Sequence, residues 1–331
     1  MRIKFARHYL TLIASILLVT TLILLSYNVI INTDAYLNSV LLPLPVDETP
    51  PTVTLNGGEL LTVAVGSSFS DPGVEAYDDR TEIEIITDGE VDTKTVGEYG
   101  IKYTVKDEHN NVTTVTRTVK VIEPTGTIYL TFDDGPGDHT ARLLDILKKY
   151  GVKVTFFVTG YGDDDLILRE YNEGHTVALH TYSHDYSYVY SSVNNYFDDL
   201  QRIQDRVKNI TGTAPTLIRF PGGSSNLVST RYDGGSHIMS TLVNEVGNRG
   251  FTYFDWNISS GDAGQTTSSD IVYENVVNAL KEGGSSVVLQ HDIKDFSVDA
   301  VERIIQYGLD HGYVFSPLDA NSFTAHHGVN N

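Results

Sequence analysis

The chain has 331 residues, room for roughly two domains and appendages. It carries a net charge of −20 and no cysteine. The charge argues against nucleic acid as a partner, because holding phosphates takes basic patches, and the lack of thiols excludes disulfides, thiolate metal sites and cysteine nucleophiles.

Residues 1–8 form a basic tail, with Arg2, Lys4 and Arg7. Residues 9–31 are uncharged and mostly apolar, and as one helix they would be about 35 Å long, enough for a hydrocarbon core of about 30 Å. No Lys or Arg follows until Arg80. That asymmetry predicts a single-pass anchor at the cell membrane, with the N-terminus inside and the remainder outside. A cleaved signal peptide, and hence secretion, is the alternative. Residues 32–50 read as a linker stiffened by Pro43, Pro45 and Pro50.

Residues 51–123 alternate polar and apolar positions, as in Ile101-Tyr103-Val105 and Val115-Val119-Val121, between turn signals such as Gly57-Gly58 and Asp71-Pro72-Gly73. Short strands at this spacing predict a small β-sandwich. The stretch resembles bacterial Ig-like surface domains in Ser70-Asp71-Pro72-Gly73, Thr95-Val96-Gly97 and the Tyr103–Asp107 run. It reads as a spacer, with a ligand-binding module as the alternative.

From Thr125 to about residue 320 apolar strands alternate with helix-patterned segments. Strands are predicted over Thr127–Phe132, Val152–Val158, Thr176–His180, Thr216–Phe220, Thr252–Trp256, Ser286–His291 and Tyr313–Phe315. Helices are predicted over Ala141–Lys149, Leu166–Asn172, Val193–Ile210, Met239–Asn248, Ile271–Lys281 and Val298–Leu309. Such alternation gives an α/β parallel sheet or barrel, whose chemistry collects at the C-terminal strand ends. The segment Asn226–His237, rich in Gly and Ser, is expected to be a flexible loop beside the cleft. Residues 321–331 form a polar tail, expected to be loose.

Polar residues recur at those strand ends. Thr131-Phe132-Asp133-Asp134-Gly135-Pro136 places adjacent carboxylates where a strand meets a turn. They repel unless a cation divides their roles, one as metal ligand and the other as proton carrier; a solvated turn is the plainer alternative. His180 and His184 are spaced so that a helical turn would point both the same way, and imidazoles with a carboxylate suit a transition metal. Arg219-Phe220-Pro221-Gly222-Gly223, Asp255-Trp256 and Leu289-Gln290-His291 complete the set.

Taken in order, these five motifs resemble those of the NodB-type polysaccharide deacetylases, carbohydrate esterase family 4. The resemblance implies a deformed (β/α) barrel, preceded here by the Ig-like sandwich and one N-terminal transmembrane helix. It implies metal-dependent removal of N-acetyl groups from N-acetylglucosamine in a cell-wall polysaccharide, peptidoglycan first. Chitin oligomers, an exopolysaccharide or xylan are alternatives within the class, and a non-catalytic wall-binding surface protein is the alternative outside it. By the same resemblance Asp133 is the general base, and Asp134, His180 and His184 hold a divalent metal, zinc first, with cobalt, nickel or manganese as alternatives. Arg219 orients Asp133, Asp255 pairs with Arg219, and His291 is the general acid. Pro221, Gly222, Trp256 and Leu289 shape the substrate pocket. Arg219 as a structural ion-pair residue and Trp256 as plain core stay open. Gly222 departs from the family, many of whose members carry an aromatic residue there. A protonated His291 needs a nearby anion, and Asp292 is expected to point to the opposite face. No obligate protein partner is evident.

Overall fold

A computed structural model describes residues 15–29 and 47–331. Residues 15–29 are helical (α1), and at 1.5 Å per residue this described stretch spans about 22 Å. Among the described residues no helix is long and apolar enough to cross a membrane, which overturns the expected transmembrane helix. Within residues 15–29 the helix is not a uniformly apolar rod. Thr20, Thr21, Ser26 and Asn28 interrupt it and turn their side chains back onto backbone carbonyls of the preceding turn. The rest of the 9–31 stretch, the basic tail and residues 32–46 lie outside the described residues.

The Ig-like portion contains β1 (Thr52–Leu55), β2 (Leu60–Ala64), β3 (Val74–Tyr77), β4 (Ile83–Asp88), β5 (Gly97–Asp107) and β6 (Val112–Ile122). β1 pairs with β3, and a second sheet runs β2-β6-β5-β4. Leu61, Ile101, Tyr103 and Val119 form its core. Arg117 is fully buried beside them. It pairs with Asp71 and donates to the carbonyls of Gly58 at 3.2 Å and Gly73 at 3.0 Å. The Ser70–Gly73 motif thus supplies a counter-ion as well as a turn. Replacing Arg117 with Met leaves Asp71 and these carbonyls without their partner; we expect a loss of about 3 kcal/mol in the stability of this portion, read by denaturant unfolding.

The C-terminal portion is an open half-barrel of parallel strands, ordered β11-β10-β9-β8-β7-β13-β12, with β14 also on β7. The strands are β7 (Gly126–Asp133), β8 (Thr155–Val158), β9 (Thr176–Leu179), β10 (Leu217–Ile218), β11 (Thr252–Tyr253), β12 (Ile258–Ser259), β13 (Ser285–His291) and β14 (Tyr313–Phe315). The helices are α2 (Thr140–Tyr150), α3 (Asp164–Asn172), α4 (Tyr186–Val189), α5 (Val193–Thr211), α6 (Ile238–Asn248), α7 (Ser269–Val277) and α8 (Asp295–Asp310). β7 reads as an apolar run because both of its faces are covered. Helix α5 shows why the long segments hold: the Ser192 hydroxyl accepts from the Asn195 N–H at 3.1 Å, Gly212 ends the helix in the left-handed conformation, and Phe197, Leu200, Ile203 and Val207 are buried on one stripe.

The register sets the site. His291 pairs with Asp133 across β13 and β7, and Ile218 pairs with Leu179 across β10 and β9. Asp133, His180, Arg219 and His291 therefore stand at one level, at the C-terminal edge of the sheet.

Two expected loose segments are ordered by contact. The 226–237 segment contains a 3-10 turn at Val228–Arg231 and buries Asn226, Ser229 and Asp233. In the tail, Ala325 accepts from the Asp255 N–H at 2.8 Å, His326 stacks on Tyr253, and Asn331 donates to the Ser229 hydroxyl at 2.9 Å. The polar groups of the tail satisfy backbone and side-chain partners along the β11 edge, and this is why its composition misleads.

Candidate active site

Asp133 ends β7 and is buried, 3% exposed. Arg219, fully buried, donates through Nη1 to Asp133 Oδ1 at 2.7 Å and to the Thr131 hydroxyl at 2.7 Å. Its remaining donors reach the carbonyls of Phe254 at 3.0 Å and Asp255 at 2.8 Å. A planar fork with every branch engaged fixes the Asp133 carboxylate in place. The other carboxylate oxygen, Oδ2, lies 3.8 Å from His180 Nε2.

Asp255 does not use its carboxylate on Arg219, contrary to the expected pair; only its carbonyl does so. The carboxylate accepts from the N–H groups of Ser224 and His327, both at 2.8 Å, and from the Ser224 hydroxyl. Asp255 thereby ties the loop after β10 to the tail. Strand pairing brings residues 219 and 255 together, but the backbone direction at the end of β11 turns the side chain toward the loop.

Asp134, His180 and His184 place their ligand atoms within 4.8 Å of one another. Asp134 Oδ1 lies 3.3 Å from His184 Nε2 and 3.6 Å from His180 Nε2. The convergence is not made by a helical turn. Residues 180–185 are loop, and Asp134, Thr181 and His184 have φ of 75°, 63° and 49°. Left-handed backbone at three non-glycine residues, one of them β-branched, is unusual and costs energy. The surroundings hold it. Asp199 of α5, fully buried, accepts the N–H groups of Tyr182 at 2.6 Å and Ser183 at 2.9 Å.

These residues fit a divalent metal. Asp134 Oδ1 is buried without a hydrogen-bond partner. His180 directs Nδ1 at the Arg219 carbonyl, 2.8 Å away, which makes that nitrogen the donor and leaves Nε2 as a free lone pair. Burial holds the His180 pKa below its ordinary value despite Asp133 nearby, so the ring stays neutral and able to ligate. His180→Ala and His184→Ala should each lower bound metal and abolish turnover. Metal content measured beside turnover checks this, and full occupancy in the double variant would remove both residues from the ligand set.

Across the site His291 ends β13, with Nε2 3.9 Å from Asp134 Oδ2. Its Nδ1 meets Asp262 Oδ1 at 2.9 Å, and its N–H donates to Asp262 Oδ2 at 2.8 Å. Burial alone would lower the His291 pKa; the bond to Asp262 and the surrounding carboxylates raise it overall. Asp262 in turn lies below the usual carboxylate range, since its bonds to His291 and Ser297 outweigh its burial. Asp292 does point away, as strand alternation requires. It bonds to Thr140, and burial raises it to about 7. A side chain on Gly135 would collide with its carboxylate.

The proposed pocket residues are gathered near this edge. Leu289 is buried in β13, level with Thr131. The Pro221 carbonyl accepts from the Tyr190 hydroxyl at 2.7 Å. Trp256 is half-buried, packs with Phe254 and Leu217, and lies 5.7 Å from the Arg219 guanidinium. Gly222 has φ 75°, and a Cβ there would come within 2.8 Å of the Tyr186 hydroxyl. Tyr186, set edge-on to His184, thus occupies the space in front of Gly222. A cleft of about 420 Å³ opens over Asp134, Pro136, Tyr161, His184 and Ile293. A larger one, about 790 Å³, lies between the Ig-like portion and the half-barrel, away from these groups.

Sequence reading missed Asp262, Asp199 and Tyr186. Asp262 had no local signal: it follows Ile258-Ser259, a strand too short to show a pattern.

The description "Polysaccharide deacetylase" matches residues 120–233, and "Bacterial surface protein, Ig-like domain" matches residues 53–121. A peptidoglycan-N-acetylglucosamine deacetylase of Bacillus cereus is 35% identical over 203 residues, covering 59% of this chain and 70% of that protein. A chitin deacetylase of Arthroderma benhamiae is 36% identical over 195 residues, 56% of this chain and 47% of its own length. Among solved structures, the catalytic domain of peptidoglycan N-acetylglucosamine deacetylase from Eubacterium rectale is 52% identical, with a TM-score of 0.60 over 62% of this chain and 94% of that one.

Proposed function

Because the chain belongs to the polysaccharide deacetylase family, hydrolases of amide bonds, we propose that it removes N-acetyl groups from N-acetylglucosamine in peptidoglycan with the help of a divalent metal. The observation that carries this reading is the placement of an Arg-held carboxylate, an Asp-His-His triad and an Asp-backed histidine around one strand edge. The choice of polymer rests on the relatives, several of which are named for peptidoglycan. In this reading the catalytic part works outside the cell membrane, where that polymer lies.

Asp134, His180 and His184 would hold the metal, zinc being the first choice for two imidazoles and one carboxylate. When bound it supplies Lewis acidity to the acetyl carbonyl and to the attacking water. The protein's own groups do the rest. Asp133, locked by Arg219, accepts the proton from water as attack proceeds. The backbone around Gly222 offers a donor to the developing oxyanion. His291, kept protonated by Asp262, gives its proton to the amine nitrogen, which leaves poorly without one. Trp256 and Leu289 wall the acetyl methyl, and Pro221 fixes the loop that carries Gly222.

Acetate release from peptidoglycan, chitin oligomers and acetylated xylan, with and without chelator, tests the reading. Release from peptidoglycan above the others, lost with chelator and restored by zinc, is the expected result. Preference for chitin oligomers would move the assignment toward the chitin deacetylase relative, and chelator-resistant release would end the metal assignment.

A further inference from the structure

The Ig-like portion carries a second set of ligand-type side chains that deacetylation does not use. Asp47 precedes β1, Asp78 and Asp79 follow β3, and Asp107 ends β5. Strand register brings them to one pole, since Thr52 pairs with Tyr77 and Ile83 with Asp107. One oxygen from each of Asp47, Asp78 and Asp79 lies within 4.8 Å of the others, and Asp47, Asp107 and His109 form a second such group. Asp47 therefore belongs to both.

Asp47 is 3% exposed and Asp107 4% exposed. Carboxylates this close and this buried need compensation. Asp107 finds it in Asn111, whose N–H and side-chain amide donate at 2.8 Å and 2.7 Å. Asp78 Oδ1 accepts the N–H groups of Arg80 and Thr81, both at 2.9 Å. On Asp47, Oδ1 accepts the Thr49 N–H at 3.0 Å and lies 4.0 Å from Arg80 Nη1, a half-exposed side chain. Asp47 Oδ2, however, is buried with no hydrogen-bond partner. A buried, unpartnered carboxylate oxygen set among further carboxylates calls for a cation.

We propose that Asp47, Asp78 and Asp79 bind a calcium ion at this pole of the Ig-like portion, with Asp107 held by Asn111 beside them. The donors are hard oxygens, which favour calcium or magnesium over zinc. They come from two separate segments, an irregular and adjustable set that suits calcium's larger, flexible coordination better than the strict octahedron of magnesium. The bound ion ties the segment before β1 to the β3–β4 loop, and so stabilises the folded arrangement by mass action.

Calcium chloride titrated calorimetrically into the chelator-treated full chain tests this. The expected result is binding with a Kd of about 10⁻⁴–10⁻³ M, the range of extracellular modules, and a rise in the unfolding temperature under excess calcium that equal magnesium does not reproduce. Asp47→Asn should abolish both signals while zinc-supported deacetylase activity is unchanged. Asp79→Asn, at an exposed position that cannot upset folding, should weaken calcium binding by about tenfold and keeps the test decisive if Asp47→Asn unfolds. Calcium binding unaltered by Asp79→Asn, binding lost instead in Asp134→Asn, equal binding of magnesium, or a response to zinc alone would each overturn the proposal.

Discussion

Asp133→Asn is expected to lower acetate release by about 10²-fold or more with the metal content unchanged. The amide keeps the shape of the carboxylate and can keep the Arg219 contact through its oxygen, 2.7 Å from Nη1 in the native protein. It cannot accept a proton. Asp134, not Asp133, belongs to the group of ligand atoms within 4.8 Å, so the loss should fall on turnover and not on metal affinity. Turnover and metal content measured on the same preparation separate the two roles. Wild-type rates in this variant would place the base elsewhere. Lost metal would make Asp133 a ligand and demand another explanation for the Arg219 fork.

The second large effect concerns His291. Removing it by His291→Ala should cut amide hydrolysis far more than hydrolysis of an activated aryl ester, whose leaving group needs no proton. Equal losses on both substrates would reassign His291 to binding of the transition state. Asp262 gives the same proposal a pH test. The native His291 pKa is raised by Asp262 and the other carboxylates against the lowering effect of burial. The acid form therefore persists to higher pH, and amide turnover should fall only as pH rises through that elevated value. Asp262→Asn removes the anion and leaves the burial, so the His291 pKa falls and the alkaline limb moves to lower pH. Turnover profiles of the native chain and this variant decide the matter. An unmoved alkaline limb would show that it belongs to another group.

The tail makes a related point about position. His327 and Ala325 hold Asp255 through its carboxylate and its N–H, each at 2.8 Å, while the Asp255 carbonyl accepts from Arg219. A segment that composition marks as loose thus stands three contacts away from Asp133, through Asp255 and Arg219.

The sequence by itself determined the parallel α/β architecture and the residues gathered at its edge. Alternating apolar strands and amphipathic helices are local patterns, and a strand end followed by Asp-Asp-Gly-Pro or by His-Thr-Tyr-Ser-His is local as well. It also made Asp292 a doubtful partner for His291, because alternation along a strand is a property of the backbone. Only the tertiary structure decided which anion does serve His291: Asp262 is 29 residues away in sequence and reaches it from a strand end of its own. The same holds for the His180–His184 loop, whose left-handed residues are held by Asp199 on α5, and for the redirected carboxylate of Asp255. At the N-terminus, counting uncharged residues predicted a membrane-spanning helix, whereas the described helix of residues 15–29 is too short and too interrupted by hydroxyl and amide groups. For Asp262, Asp199 and Asp255 the deciding interaction joins groups distant along the chain, and periodicity in a sequence does not carry it.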